Sequence, residues 1–373
     1  IAAQPAHDPM ALLNLAASSP VEQLDALCEQ AEVAIQASPD NTFCSLMAQG
    51  LAHWRAKRHL QALASLDRVA KPHQQNSDYL VLRGMVLRQF PERHDEAIQA
   101  FRQAIAETPD RADSYYNLAN LLTDQDREHQ AERAYRLSLQ FNPKAPLALH
   151  NLGMCLNGQQ RFSEGLEVLQ RSVQEDPSSA DAWCNLGLSH FGLDQFDQAK
   201  QAFAKAIALD QTHGASHVNM GNVLVSTLEP ERALTYLEKG VELESSSANS
   251  LWNLSLAYLL TGDFAQGWDY YEARFATKNF SDYERPTAGP QPRTLQECSR
   301  DPDHPLVVWT EQGIGDAIQF CRYLPMLDAA GISYVFMTRG SLMRLFQEWF
   351  ALPQDRLLEQ PLRINPDDHR QQI

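Results

Sequence analysis

Residues 180–213 read ADAWCNLGLSHFGLDQFDQAKQAFAKAIALDQTH, and residues 112–145, ADSYYNLANLLTDQDREHQAERAYRLSLQFNPKA, carry the same pattern at the same spacing. Aligned in 34-residue units, the stretch 112–281 holds five successive copies. The fourth place is taken by Tyr115, Leu149, Trp183, His217 and Leu251, and the seventh by Leu118, Leu152, Leu186, Met220 and Leu254. The eighth place is small (Ala119, Gly153, Gly187, Gly221, Ser255), as is the twentieth (Ala131, Gly165, Ala199, Ala233, Gly267). The twenty-fourth is large: Tyr135, Leu169, Phe203, Leu237 and Tyr271. Apolar residues at helical spacing make two amphipathic helices per unit, and the small places let their backbones approach. Pro143 and Pro177 end the second helix of the first two units.

This pattern is identified as that of the tetratricopeptide repeat (TPR). One such unit cannot bury its apolar face alone, so units stack into a curved solenoid with a concave inner surface. Upstream, 43–76 is a recognisable unit with Gly50, Ala62 and Leu66 at the key places, and 77–111 another with Gly84, Ala97 and Phe101. Its inter-helix turn, Gln89 to Arg93, is one residue longer. A degenerate pair at 8–42, with Leu12, Leu13 and Leu15, then Leu24, Leu27, Ala31 and Ala34, is broken at Ser18-Ser19-Pro20 and reads as a cap. The predicted fold is mainly α. A TPR α-solenoid of about seven or eight helix pairs spans residues 1–281, with units 43–76, 77–111, 112–145, 146–179, 180–213, 214–247 and 248–281.

Residues 282–304 read as an irregular linker with Pro286, Pro290, Pro292 and Pro302. From Pro305 the pattern changes. Leu306 to Trp309 is wholly apolar, as in a strand buried on both faces, and a turn with Gly313 and Gly315 leads into a helix from about Ala317 to Ala330. Gly331 is placed to end that helix in the left-handed conformation. Ile332 to Met337 is a second strand, Ser341 caps a helix to Phe350, and Arg356-Leu357-Leu358 begins a third strand. Residues 305–373 are therefore expected to be the start of a Rossmann-like α/β domain.

The net charge of −16 and pI near 5.1 exclude general nucleic-acid binding, which needs a basic stripe. Asp113, Asp124 and Asp181 near the inner face point to a basic partner. The six cysteines (Cys28, Cys44, Cys155, Cys184, Cys298, Cys321) form no C-x-x-C pair, and no histidines cluster beside them. Neither a metal site nor a disulfide framework is indicated, no cofactor is called for, and the thiols fit a reducing compartment. No apolar run reaches the length of a membrane span, and the opening Ile-Ala-Ala-Gln-Pro lacks the basic start of a signal peptide. A cytoplasmic protein is expected. The first residue is not Met, so a processed or excised piece is expected too.

Two constellations stand out, and one aromatic face. The sixth place of the five regular units is Asn117, Asn151, Asn185, Asn219 and Asn253, with Asn120 and Asn222 three residues on. A carboxamide both donates and accepts, so a row of them can pair with an extended backbone without reading its sequence. First helices roughly 10 Å apart match every third residue of a strand rising about 3.3 Å per residue. Earlier units have Ala48 and Leu82 at this place, and Asn there is also common in the repeat pattern itself. The second constellation is Glu311-Gln312-Gly313-Ile314-Gly315-Asp316, then Gln319, Phe320, Arg322 and Tyr323. It lacks the third glycine of a dinucleotide fingerprint and the Lys-Ser/Thr of a P-loop. Asp316 would cancel the attraction of the helix N-terminus for phosphate. It suits either a helix cap or a general base. Phe264, Trp268, Tyr271 and Phe275 form an aromatic face that either caps the array or serves as a docking face, for the α/β segment or for a second copy of the chain.

The Asn row resembles the superhelix of O-linked N-acetylglucosamine transferases. Leu260-Thr261-Gly262-Asp263-Phe264, Gly267-Trp268-x-x-Tyr271-Glu272-x-Arg274 and Glu311 to Pro325 look like bacterial TPR proteins that carry a glycosyltransferase domain of the two-Rossmann, heptosyltransferase-like (GT-B) type. The resemblance implies that Asp316 matches the family's base in an acceptor-side lobe, and that a nucleotide sugar binds a second lobe, which this chain lacks. One lobe cannot hold donor and acceptor together. The expectation is therefore a scaffold that binds an extended peptide or partner protein in its groove and has no transferase activity as it stands. The alternative is that a longer parent protein is a glycosyltransferase acting on a protein or glycan from a nucleotide-sugar donor.

Overall fold

A computed structural model describes residues 9–37, 42–244, 247–277, 298, 300, 305–310, 314–348 and 352–359. The linker expected at 282–304 lies outside these apart from Cys298 and Arg300. The chain divides into two units, Ile1–Arg274 and Phe275–Ile373.

The first unit is a succession of helical hairpins. They are α1 (Pro9–Ser18) with α2 (Leu24–Ala37), α3 (Phe43–Arg55) with α4 (His59–Asp67), α5 (Ser77–Leu87) with α6 (His94–Glu107), and α7 (Ala112–Asp124) with α8 (Glu128–Phe141). They continue as α9 (Pro146–Gly158) with α10 (Phe162–Glu175), α11 (Ala180–Gly192) with α12 (Phe196–Leu209), α13 (Gly214–Ser226) with α14 (Pro230–Leu243), and α15 (Ala248–Thr261) with α16 (Phe264–Tyr271). Caps mark several starts: the side chains of Asn76, Ser179, Ser247 and Asp263 each accept a backbone N–H of the helix they precede.

The small and large places of the unit meet as their sizes require. A Cβ built on Gly153 would lie 2.3 Å from Leu169, one on Gly187 2.5 Å from Phe203, and one on Gly221 2.4 Å from Leu237. The eighth place is small because the twenty-fourth side chain of the same unit fills its space. Leu169, Phe203 and Leu237 are fully buried, and the core clusters cross from one hairpin to the next, one from α10 to α11 and one from α11 to α15.

In six of the eight hairpins the turn between the helices is alike in a way the sequence conceals. Lys57, Asp126, Gln160, Asp194 and Leu228 all have φ between 56° and 59°, and Gly262 has φ 86° at the equivalent place. The following residue closes the turn: Arg127 N–H donates to Leu122 O at 2.9 Å and Glu229 N–H to Leu224 O at 2.8 Å. This is a Schellman closure, whose left-handed residue favours glycine. Leu228 is 80% exposed, so its side chain contributes little packing. Left-handed backbone costs a residue with a Cβ about 1–2 kcal/mol, of which glycine's greater freedom when unfolded takes back about 0.5–1. Leu228→Gly is thus expected to raise the thermal midpoint by a few degrees in calorimetry, and a lower midpoint would contradict this reading of the turn.

The second unit contains a three-stranded parallel sheet in the order β1-β2-β3. The strands are β1 (Leu306–Trp309), β2 (Tyr334–Thr338) and β3 (Leu357–Glu359), with Leu306 paired to Tyr334 and Phe336 to Leu357. Helix α19 (Gly340–Glu348) lays Phe346 edge-on against Phe336, with ring centroids 4.9 Å apart. The single helix expected over Ala317–Ala330 is broken. It forms α17 (Ile314–Phe320), a 3-10 turn at Cys321–Tyr323 and α18 (Leu324–Ala329). Pro325 is the cause, since it lacks the N–H that would reach the Cys321 carbonyl and its ring crowds that carbonyl. Gly331 has φ 66° and ends α18 as expected. Among the described residues, no helix is long and apolar enough to cross a membrane.

Candidate functional site

The odd-numbered first helices face one surface of the array. Each of α9, α11 and α13 touches the next first helix as well as its own partner, and the second helices make no comparable contacts with one another. The first helices therefore line the inner, concave side. From α9 to α15 their sequences contain no Lys or Arg and a single carboxylate, Asp181. Earlier first helices differ: α3 carries Arg55 and α5 carries Arg83.

All seven asparagines proposed from the sequence are half-buried on this surface. Their amides are not equivalent. Asn117 and Asn185 donate to carbonyls of their own helices, Asp113 O at 2.9 Å and Asp181 O at 3.1 Å. Asn151 donates across units to Asn120 Oδ1 at 2.9 Å, which also accepts the buried Tyr135 hydroxyl at 2.7 Å. Asn219 donates to Cys184 Sγ at 3.5 Å. The donor half of four of the row's five amides is thus engaged within the array. Asn222 and Asn253 make no hydrogen bond among the described residues.

The acids expected to face a basic partner prove to be paired. Asp124 binds Arg88 through both oxygens at 2.5 and 2.9 Å, Asp113 binds Arg111 at 2.6 and 2.9 Å, and Asp181 meets His213 Nε2 at 2.9 Å. Two other carboxylates line the groove instead. A cleft of about 620 Å³ opens among Met154, Phe162, Leu188, Phe191 and Phe196, with exposed Asp194 in its wall. Gly158, Gly192 and Ser226, all at the thirteenth place, keep it open. A second cleft of about 370 Å³ is polar and lined by Asn219, Asn222, Asn249, Asn253 and Trp252, with Glu244 beside them. Neither cleft contains a Lys, Arg or His among its lining residues. Sequence reasoning missed both, although the run of small residues at the thirteenth place was a visible sign of the first.

Family models described as "Tetratricopeptide repeat" match residues 180–213 and, in overlapping pairs of units, 47–112, 91–146 and 116–180. Together these matches span residues 47–213, less than half of the chain. The chain is similar in structure to a chain of the APC/C hetero-tetramer Cut9-Hcn1 at TM-score 0.54 and 16% identity, over 70% of this chain and 52% of that one. It is also similar to PilF of Pseudomonas aeruginosa (TM-score 0.48, 21% identity, 57% of this chain and 98% of that one). PilW, a type IV pilus biogenesis factor, matches at TM-score 0.49 and 16% identity, over 55% of this chain and 95% of that one. At these identities the likeness to Cut9-Hcn1 is one of fold. No curated protein matches the sequence.

On the outer side, charged ladders tie TPR units together. Glu132 accepts from Arg136 of its own helix at 2.9 Å and from Arg161 of the next unit at 2.7 Å, and Arg161 clasps Glu164 through two 2.7 Å bonds. One unit pair further on, Lys200 donates to Glu229 at 2.6 Å, and Arg232 pairs with the same carboxylate. Lys200, the Thr227 hydroxyl and Arg232 hold Glu229 down to about 2. At the end of the helical array, Phe264 and Trp268 are more than half exposed, while Tyr271 packs edge-on to Trp268 and under the Arg274 guanidinium.

The glycine-rich constellation of the second unit is less fully placed. Glu311, Gln312 and Gly313 lie outside the described residues, and so do the side chains of Asp316 and its neighbours in the first turn of α17. The backbone of Gly315 and Asp316 is helical. Arg322 is exposed, donates to the Tyr323 hydroxyl at 3.1 Å and sits 5.0 Å over that ring.

Proposed function

We propose that the TPR array is a protein-interaction scaffold that binds an extended segment of a partner along the inner surface of α7, α9, α11, α13 and α15. The observation that carries this reading is the inner face from α9 to α15. It combines half-buried carboxamides at a 34-residue period, two open clefts and no Lys or Arg on any of its helices. The acceptor oxygens of Asn117, Asn151, Asn185 and Asn219 are oriented by bonds through their own nitrogens, and Asn222 and Asn253 offer whole amides. Such groups grip backbone N–H and C=O of a strand without regard to its side chains. The six free cysteines fit a reducing compartment such as the cytoplasm.

The test is direct. Peptides of about a dozen residues, long enough to cross five units, are selected from a displayed random library on the wild-type chain. Asn151, Asn185 and Asn219 are then replaced together by Ala. Loss of affinity of about tenfold or more, the scale of a few lost hydrogen bonds, with helicity unchanged, is the expected result. Unchanged affinity would remove the groove as the binding surface.

A second reading concerns Phe275–Ile373. The parallel order β1-β2-β3 with helices in each crossing supports the proposal that this unit begins a Rossmann-like lobe of a glycosyltransferase in a longer parent protein. In such a parent, Asp316 would serve as base. Asp316→Asn there should abolish sugar transfer while leaving donor binding intact, and retained transfer would exclude that role.

A further inference from the structure

Resting on the groove reading above, we infer that the bound segment carries a large apolar side chain and, six or seven residues away, a Lys or Arg. The apolar side chain enters the cleft of Met154, Phe162, Leu188, Phe191 and Phe196, and the basic one lies in the cleft of Glu244, Asn219, Asn222 and Asn253.

The first cleft sits against the C-terminal halves of α9 and α11 and is walled by three rings, Phe162, Phe191 and Phe196. Its size and apolar wall suit an aromatic or branched aliphatic side chain together with its backbone, and burying one such side chain is worth a large part of a peptide's affinity. The second lies against the N-terminal halves of α13 and α15. There the carboxylate of Glu244 lies among amide and hydroxyl groups and, among the described residues, accepts from the Ser250 hydroxyl at 3.4 Å. Asn222, Asn249 and Asn253 supply acceptor oxygens but no positive charge. A cationic side chain satisfies this set and an acidic one is repelled by it. Asp194 in the wall of the first cleft adds a negative charge of the same sense. Because no Lys or Arg stands on α9, α11, α13 or α15, nothing on the inner face competes for these carboxylates.

The spacing follows from the repeat. The two clefts are separated by two steps of first helices, roughly 8–10 Å each, and by about eight residues along the helix axis at 1.5 Å per residue. The diagonal of about 20–23 Å corresponds to six or seven residues of extended chain.

The test uses the same displayed library and one blocking variant. Gly158 lies in the wall of the first cleft, and a Cβ placed on it would meet nothing nearer than the Glu128 carboxylate at 3.7 Å, so Gly158→Leu adds bulk to that wall with no backbone clash. Selected peptides are expected to share an apolar residue and a Lys or Arg at the stated spacing. They should lose about tenfold or more in affinity towards Gly158→Leu, the worth of one buried apolar side chain. Changing the peptide's basic residue to Glu should weaken binding further. Glu244→Gln should reduce both affinity for the basic peptide and its dependence on salt. Peptides that need the asparagine row but carry neither feature, or that bind Gly158→Leu as well as wild type, would overturn the inference and leave the groove reading standing. A library that yields no binder would overturn both.

Discussion

Phe203→Ala should destabilise the TPR array by about 3–5 kcal/mol, the range for truncating a fully buried aromatic side chain. Phe203 is 0% exposed and belongs to the core formed by α11 to α15. Its ring occupies the space that Gly187 leaves by having no side chain. The loss would open a cavity between α11 and α12, and because each TPR unit is stable only against its neighbours, the effect should spread to the adjacent units. Urea denaturation followed by far-ultraviolet circular dichroism, which reports the helices, measures it. The reverse change is equally informative. Gly187→Ala places a methyl group 2.5 Å from the ring and should cost about 1–3 kcal/mol by overpacking. Destabilisation below about 1 kcal/mol for Phe203→Ala would mean that the small and large places are not the lock that the sequence pattern describes.

Glu132→Ala should cost about 1–3 kcal/mol, between the values for exposed and buried pairs. The Glu132 side chain is only 11% exposed and is held by Arg136, Arg161 and Gln159. Burial alone would push its carboxyl up, but the bonds from these neighbours outweigh it and leave the group below its ordinary value. A carboxylate held low in the folded state contributes stability that is present above its unfolded value, near 4.3. That stability is lost as the pH falls through the lower folded value. Glu229 behaves alike, reaching about 2. The array should therefore lose stability progressively between about pH 4.5 and 2, and Glu132→Gln should make this acid slope shallower. A slope unchanged by Glu132→Gln in pH-dependent thermal melts would show that the ladder does not couple folding to protonation.

The sequence makes the helical array legible because a strict 34-residue period fixes which residue meets which. The alignment marks the eighth place as small and the twenty-fourth as large, and the structure adds that they meet, as Gly153 with Leu169 and Gly221 with Leu237. Other features depend on partners that the period does not specify. Asp124 is paired with Arg88, 36 residues earlier, and Asp181 is hydrogen-bonded to His213, 32 residues later, so the acids that pointed to a basic partner already have partners. Whether an amide of the Asn row is free depends on its neighbours, the Tyr116 hydroxyl and Asn120 for Asn151 and the Cys184 thiol for Asn219. The left-handed turn residue is hidden because the array fills it with Lys57, Asp126 or Leu228 where glycine would announce it. In the second unit, the break before Pro325 was open to view, since proline cannot continue the helix that the apolar spacing of Ala317–Ala330 implies.

Hydrogen exchange, measured on the chain alone and with a selected peptide bound, tests the groove most directly. Slowed exchange at the amides of α9, α11, α13 and α15, with α10, α12 and α14 unchanged, is the predicted result. Protection confined to the second helices, or to Phe275–Ile373, would contradict it.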